Sequence, residues 1–196
     1  KNKIFYFYIK NYTKNFISNI LACISVLSIL NLDLNIMKKK FINFDIPSGR
    51  GDIKIVRKFK KRFKFVDESY NANPLSMLSA IKNMNYYKRN KGEKKFVLLG
   101  DMLELGKKSK MLHKKLSNTI NKTDIDKVFV YGKFIKDTFN SISPNKKGKV
   151  FNNLIQAQNY LGKIINNNDL LMVKGSNATG LNKFSKNIKK GYISAL

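Results

Sequence analysis

The sequence contains one cysteine, Cys23, and one histidine, His113. A single cysteine excludes an intrachain disulfide, which fits a reducing compartment and a cytoplasmic location. One Cys and one His also exclude a zinc site of the usual Cys/His kind. Acidic residues are scarce: 12 Asp and Glu stand against 39 Lys and Arg, a formal net charge of +27. Such a balance points first to a polyanion partner, nucleic acid or a lipid surface. The identity of the basic residues argues against it. Only Arg50, Arg57, Arg62 and Arg89 are arginines, the side chain suited to bidentate recognition of bases and phosphates. The lysines are spread through the chain together with abundant asparagine, as a compositional drift of the coding sequence would give. A basic α/β nucleic-acid-binding module stands as the alternative reading, and it needs clustered Arg and exposed aromatics on one face.

A long apolar run is also missing. The most apolar stretch, residues 16–32, places Phe16, Ile20, Cys23, Ile24, Leu27 and Leu30 at helical spacing. It is slightly short for a bilayer core of about 30 Å, and Ser18, Asn19, Ser25 and Ser28 interrupt it. It reads as a buried helix rather than as a stable membrane insertion. No glycine-rich phosphate loop is present, and the first residue is Lys1 rather than Met. The chain therefore reads as beginning inside a larger protein.

What is present is enough for a core: 43% of the 196 residues are hydrophobic, the length of one domain, or one domain and part of another. Residues 4–9 alternate aromatic and polar side chains as a strand would. The apolar helix follows, then a short helix over 34–44. Asp45-Ile46-Pro47-Ser48-Gly49-Arg50-Gly51-Asp52 reads as a linker punctuated by Pro and Gly, which divides the chain into regions 1–46 and 47–196. Beyond it, 53–56 and 63–66 read as a hairpin joined by the basic turn 57–62. A strand–helix rhythm then runs to the end: helix 74–87, strand 96–99, strand 128–131, helix 134–140, strand 149–151, helix 154–165, strand 170–173 and a final helix. This predicts an α/β fold, Rossmann-like, with a mostly parallel sheet and helices on both faces.

Polar clusters fall at the carboxyl ends of the strands, where open α/β sheets bind ligands. The first is Asp67-Glu68-Ser69-Tyr70-Asn71-Ala72-Asn73, closed by Pro74 at a helix start. An ordinary capped turn has similar composition. The second is Leu99-Gly100-Asp101-Met102-Leu103-Glu104-Leu105-Gly106. Asp101 and Glu104 could form a carboxylate pair or cap the loop, and His113 lies on the following helix as a helix-surface or packing residue. The third is Lys174-Gly175-Ser176, where Lys174 can neutralise an anion or be one more surface lysine.

Taken together and in order, the three clusters resemble the UDP-N-acetylmuramoyl-tripeptide–D-alanyl-D-alanine ligases, a Mur ligase family of peptidoglycan synthesis. The linker Gly49-Arg50-Gly51 is similar to the Gly-Arg-Gly that joins that family's central and C-terminal domains. Residues 15–23 match its helix beginning His-Asn-x-x-Asn, with Asn15 and Phe16 in place of the His and first Asn. The later Lys-Gly-Ser-Arg is Lys174-Gly175-Ser176-Asn177 here.

The resemblance implies that 1–46 end a central ATP-binding domain and that 47–196 form a Mur ligase C-terminal domain. It implies an ATP- and Mg2+-dependent carbon–nitrogen ligase, monomeric when complete, that activates the tripeptide carboxylate as an acyl phosphate for attack by D-alanyl-D-alanine. The nucleotide would be met by Asn19, Arg50 and Asp67, and the dipeptide side by Tyr70, Asn71, Asn73, Lys174 and Ser176. No catalytic residue and no metal ligand is assigned in this stretch, because the phosphate loop, carbamylated lysine and metal site belong to the preceding region. The stretch alone is expected to be inactive, whether it is part of a working ligase or a non-functional remnant of one.

Overall fold

The computed structural model describes residues 4–9, 14–38, 40–43 and 47–195. The chain divides into two units, Lys1–Pro47 and Ser48–Leu196.

In the first unit, helix α1 spans Lys14–Ile29 and a one-turn helix α2 spans Leu34–Met37. Asp33 caps α2, its carboxylate accepting from Asn35 N at 2.9 Å. Ile20 and Phe41 form a small buried cluster with Phe7, Ile9, Ile24 and Met37 against it. Two expectations are corrected here. Residues 4–9 form no strand, because alternation makes a strand only when a neighbouring strand takes its backbone hydrogen bonds. The helix is not buried all round either. Leu21, Val26 and Ile29 stand exposed, since this small unit buries only one side of it. Among the described residues no helix is long and apolar enough to cross a membrane. The linker residues 44–46 lie outside the described residues.

The second unit opens with the hairpin β1 (Asp52–Lys58) and β2 (Lys61–Glu68), paired from Asp52↔Asp67 to Lys58↔Lys61. The ladder is longer than the sequence implied. Arg57 and Arg62 pair within it, and only Phe59 and Lys60 turn, both at positive φ (55° and 59°). That is the backbone of a type I′ hairpin turn, whose twist matches the strands. Phe59 is held there by stacking on Phe63.

Alternating helices and strands follow: α3 (Pro74–Asn83), β3 (Lys95–Gly100), α4 (Ser109–Asn121), β4 (Lys127–Tyr131), α5 (Ile135–Ser141), β5 (Lys147–Phe151), α6 (Leu154–Ile164), β6 (Leu170–Lys174), α7 (Leu181–Lys189) and β7 (Tyr192–Ala195). The sheet order is β5-β4-β3-β6-β2-β1-β7. The strands from β5 to β2 run parallel, whereas at the other edge β1 pairs antiparallel with β2 and β7 pairs antiparallel with β1. β3 and β6 are buried along their whole length, as central parallel strands covered on both faces must be.

Period-two alternation assigns their side chains. Val97, Leu99, Leu170 and Met172 join the core beneath α3, α4 and α5, and Phe96, Leu98, Leu171 and Val173 the core beneath α6 and α7. The chain therefore leaves β3 toward one face and β6 toward the other, although the two strands are neighbours. That divergence opens a crevice at their carboxyl ends, the usual ligand position in such sheets.

Candidate active-site loops at the carboxyl edge of the sheet

The linker folds directly onto the first polar loop. Gly51 N donates to Asp67 O at 2.8 Å, and Tyr70 N donates to Gly49 O at 3.0 Å. Gly49 N donates to Asp52 Oδ1 at 2.9 Å. Gly49 has φ +83°, and a Cβ there would lie 3.0 Å from Tyr70 N and Cβ, so this close approach requires glycine. Between the two glycines Arg50 points outward, its guanidinium 4.1 Å from the Tyr70 ring centroid. The half-exposed ring and its stacked cation form a flat, positively charged surface.

Beneath that surface Asp67 is only 2% exposed. Its Oδ1 accepts from Ser69 Oγ at 2.6 Å and Ser69 N at 3.1 Å, and its Oδ2 pairs with Lys189 of α7. Lys189 also reaches Ser48 Oγ at 2.5 Å and lies 3.6 Å from Asp52 Oδ2. One ammonium thus ties linker, signature loop and final helix together. Sequence reading missed Lys189 because nothing local marks it among so many lysines.

Lys174 and Ser176 are placed beside the same loop, but facing inward. Lys174 is 2% exposed, and its Nζ donates to Asn71 O at 3.0 Å and to Glu68 O and Oε2, each at 3.4 Å. Burial pushes the Lys174 ammonium below its ordinary range, with Glu68 opposing the shift. Burial likewise pushes the Glu68 carboxyl up, with Lys174 pulling it back. In both groups desolvation outweighs attraction, as in buried ion pairs generally. Ser176 accepts from Leu103 N at 3.0 Å and donates to Ala72 O at 3.3 Å, bolting the loops after β2, β3 and β6 together.

Asn71 is exposed and accepts from Ala72 N at 2.8 Å. Asn73 is the N-cap of α3: its Oδ1 accepts from Ser76 N at 2.8 Å and its own N donates to Ser76 Oγ at 3.1 Å. The structure thus brings Arg50, Asp67, Tyr70, Asn71, Asn73, Lys174 and Ser176 into one loop cluster. Asn19, exposed on α1, belongs to the other unit.

The remaining candidates are structural. Asp101 accepts from Lys133 N at 2.8 Å and Ile135 N at 2.7 Å, fixing the start of α5. Glu104 stands exposed at φ +63° and makes no carboxylate pair with it. His113 is fully buried, accepting from Met102 N at 2.9 Å through Nε2 while Nδ1 faces Ser109 O at 2.8 Å. That pattern requires the neutral Nδ1–H tautomer, a strut between loop and helix. Beside these loops lies a cleft of about 420 Å3 lined by residues from the ends of β3, β4, β5 and β6, among them Tyr131, Lys133 and Lys136. None of those three was marked by the sequence.

This arrangement matches a known domain. The Mur ligase, glutamate ligase domain family covers residues 53–177 of the chain. The chain belongs to the Mur ligase family. Among curated Mur ligases it is 33% identical over 180 residues to the UDP-N-acetylmuramoyl-tripeptide–D-alanyl-D-alanine ligase of Buchnera aphidicola subsp. Baizongia pistaciae, covering 91% of this chain and 37% of that protein. It is 28% identical over 171 residues to the ligase of the same name from Rickettsia prowazekii, covering 87% and 36%. Two solved Mur ligases share its fold. The MurF ligase of Thermotoga maritima, crystallised with ADP, has a TM-score of 0.71 at 22% identity, covering 91% of this chain and 40% of that one. The MurF of Acinetobacter baumannii has a TM-score of 0.74 at 20% identity, covering 93% and 39%. The chain thus spans little more than a third of the length of the curated Mur ligases it matches.

Proposed function

We propose that this chain is the C-terminal part of an ATP-dependent ligase that joins D-alanyl-D-alanine to UDP-N-acetylmuramoyl-tripeptide, and so serves peptidoglycan synthesis in the cytoplasm. The observation that carries the reading is the loop 67–74 strapped under Gly49-Arg50-Gly51 and bolted to Lys174-Gly175-Ser176, all at the carboxyl edge of the sheet. Named relatives at up to 33% identity over nine-tenths of the chain support it.

The residues present fit the phosphate or ribose side of a nucleotide. Arg50 offers an exposed cation on an aromatic plate, whereas Asp67 behind it is buried with both oxygens engaged by Ser69 and Lys189, so it would meet a ribose hydroxyl only after the loop opens. Bound ATP would supply the phosphoryl group that activates the tripeptide carboxylate. Among the described residues no group of three His, Cys, Asp or Glu could hold a metal ion. Asn19 would contribute to the nucleotide from the first unit. Tyr70, Asn71 and Asn73 form the rim on the acceptor side, and Lys174 and Ser176 hold that rim in place from below. An acyl phosphate must be shielded from water, and a rigid domain carrying these loops on a Gly-Arg-Gly linker is suited to close over it.

The test is phosphate release from ATP that depends on both UDP-N-acetylmuramoyl-tripeptide and D-alanyl-D-alanine, assayed with the longest polypeptide the gene encodes. Turnover is expected there and not with residues 1–196 alone. Loss of turnover in Arg50→Ala, with the fold intact, is also expected. Turnover insensitive to the dipeptide would overturn the assignment.

A further inference from the structure

The tip of the first hairpin collects charge of one sign. Arg57-Lys58-Phe59-Lys60-Lys61-Arg62 holds five cations and no acid. Two of the chain's four arginines lie here. The ladder sets them directly opposite one another, with Lys58 opposite Lys61 one step nearer the turn. Arg57 N donates to Gly191 O, while Arg62 N donates to Asn167 Oδ1 at 2.8 Å and Arg62 O accepts from Asn168 N at 2.7 Å. The backbone groups of the two arginines thus point away from each other. Arg57 and Arg62 are therefore a non-hydrogen-bonded pair, the kind whose side chains approach closest. Like charges so placed destabilise a hairpin. Nothing in the fold relieves them: both are exposed, and among the described residues neither has a carboxylate partner. Glu93 is committed to Lys64 at 3.5 Å and to Asn90 N and Nδ2, each at 2.9 Å. Asp169 is buried and accepts from Lys94 N and Asn166 N. The elements packed on the tip add to the field. Phe59 lies against Gly162 of α6, whose neighbour Lys163 is exposed, and Gly191 follows the exposed Lys190 at the end of α7.

We propose that this tip is a docking surface for an anionic lipid bilayer, with Arg57 and Arg62 set among the headgroup phosphates. Charge complementarity selects an anionic partner, and the shape selects a lipid surface over nucleic acid. The cations surround a projecting end instead of lining a groove: the arginines stand on one face of the ladder, Lys58 and Lys61 on the other, and Lys60 at the turn. Bases would need aromatic platforms, and the one aromatic of the segment, Phe59, is already stacked on Phe63. The unrelieved arginine pair costs the free protein stability, and phosphates between the guanidiniums would remove that cost. β2 begins at this tip and ends at Glu68 beside the candidate site, and its eight residues set the two ends roughly 20 Å apart. A bilayer at the tip therefore leaves the signature loops open. Docking of this kind is independent of the ligase reading.

The test is co-sedimentation of residues 1–196 with vesicles of phosphatidylcholine and phosphatidylglycerol in equal parts, and with vesicles of phosphatidylcholine alone. Binding is expected for the first only, and it should weaken as salt is added. Arg57→Gln/Arg62→Gln should bind roughly thirtyfold less tightly, the scale of two charges at an anionic surface. The same variant should unfold at a higher urea concentration than wild type, because a like-charge pair is gone, so its lost binding cannot come from a lost fold. Lys110→Gln/Lys114→Gln, exposed on α4, removes equal charge elsewhere and should leave binding unchanged. No binding to the anionic vesicles, equal loss in the α4 variant, or a lower urea midpoint for the arginine variant would overturn the proposal. So would tighter binding of polyuridylate at equal phosphate concentration, lost in the same arginine variant, which would make the tip a nucleic-acid surface. None of these results bears on the phosphate-release assay, so the docking surface and the ligase assignment stand or fall separately.

Discussion

Lys174 and Glu68 lose their hydration on folding, and only attraction and hydrogen bonds offset that loss. Removing one partner should therefore hurt more than removing both. Lys174→Met is expected to destabilise the fold by about 3–5 kcal/mol near neutral pH, and Lys174→Met/Glu68→Gln by clearly less. Urea unfolding of the four proteins in a double-mutant cycle measures this, and additive losses would contradict it. The pH dependence has a definite sign. The folded Glu68 carboxyl titrates above its ordinary value of 4.5, so its contribution is fully present below 4.5 and is lost as pH rises through the raised folded value. Wild type should lose stability relative to Glu68→Gln across that window. A difference moving the other way would show that attraction, not burial, dominates. Arg50, Asp67 and Tyr70 were singled out by the family resemblance, and the structure brings them into one loop cluster. Glu68 was not, because its partner lies 106 residues away and no local pattern announces a buried pair.

At the scale of elements, α3 depends on Asn73, whose capping box ties both ends of its first turn. Asn73→Ala should cost about 1 kcal/mol of stability, and Asn73→Asp, which keeps an N-cap acceptor, should restore it. If Asn73 also touches substrate, the Asp variant will recover its unfolding midpoint but not its ligation rate. Recovery of both would confine Asn73 to the cap. The linker gives a second case. Gly49→Ala introduces a Cβ at φ +83° facing Tyr70, at a cost of about 1–3 kcal/mol. Spectroscopically it should shift the environment of Tyr70; an unchanged tyrosine signal and midpoint would mean the strap is loose. Helices and central strands were legible because their apolar period is local and strong. Two strand assignments failed for one reason. Residues 4–9 alternate but have no partner strand among the described residues, whereas β7 is four residues long and exists because β1 accepts it through Lys54↔Ala195 and Ile55↔Ser194. Pairing is a long-range property that alternation does not encode.

For the molecule as a whole, the distribution of buried side chains decides what folds alone. Both cores that sandwich the sheet draw only on residues of Ser48–Leu196, and so do the hydrogen bonds of the candidate site. A segment of about 150 residues buries enough surface for an independent core. The buried cluster of Lys1–Pro47 holds two buried side chains, Ile20 and Phe41, among the described residues, and its helix α1 shows Leu21, Val26 and Ile29 to solvent. That exposed face is expected where a segment ordinarily packs against further chain of its own domain. Residues 48–196 expressed alone should therefore unfold in one cooperative urea transition, with the slowest amide exchange in β3 and β6, the strands buried on both faces. Residues 1–47 alone should show helix content well below that of α1 in the chain, since a 16-residue helix without tertiary packing is marginal in water. A broad, non-cooperative transition for 48–196, or dye binding that reports exposed apolar surface, would mean that the first unit is part of the second unit's core. The shielding argument would then fail as well, because a domain that is not rigid by itself cannot close as a body over an acyl phosphate.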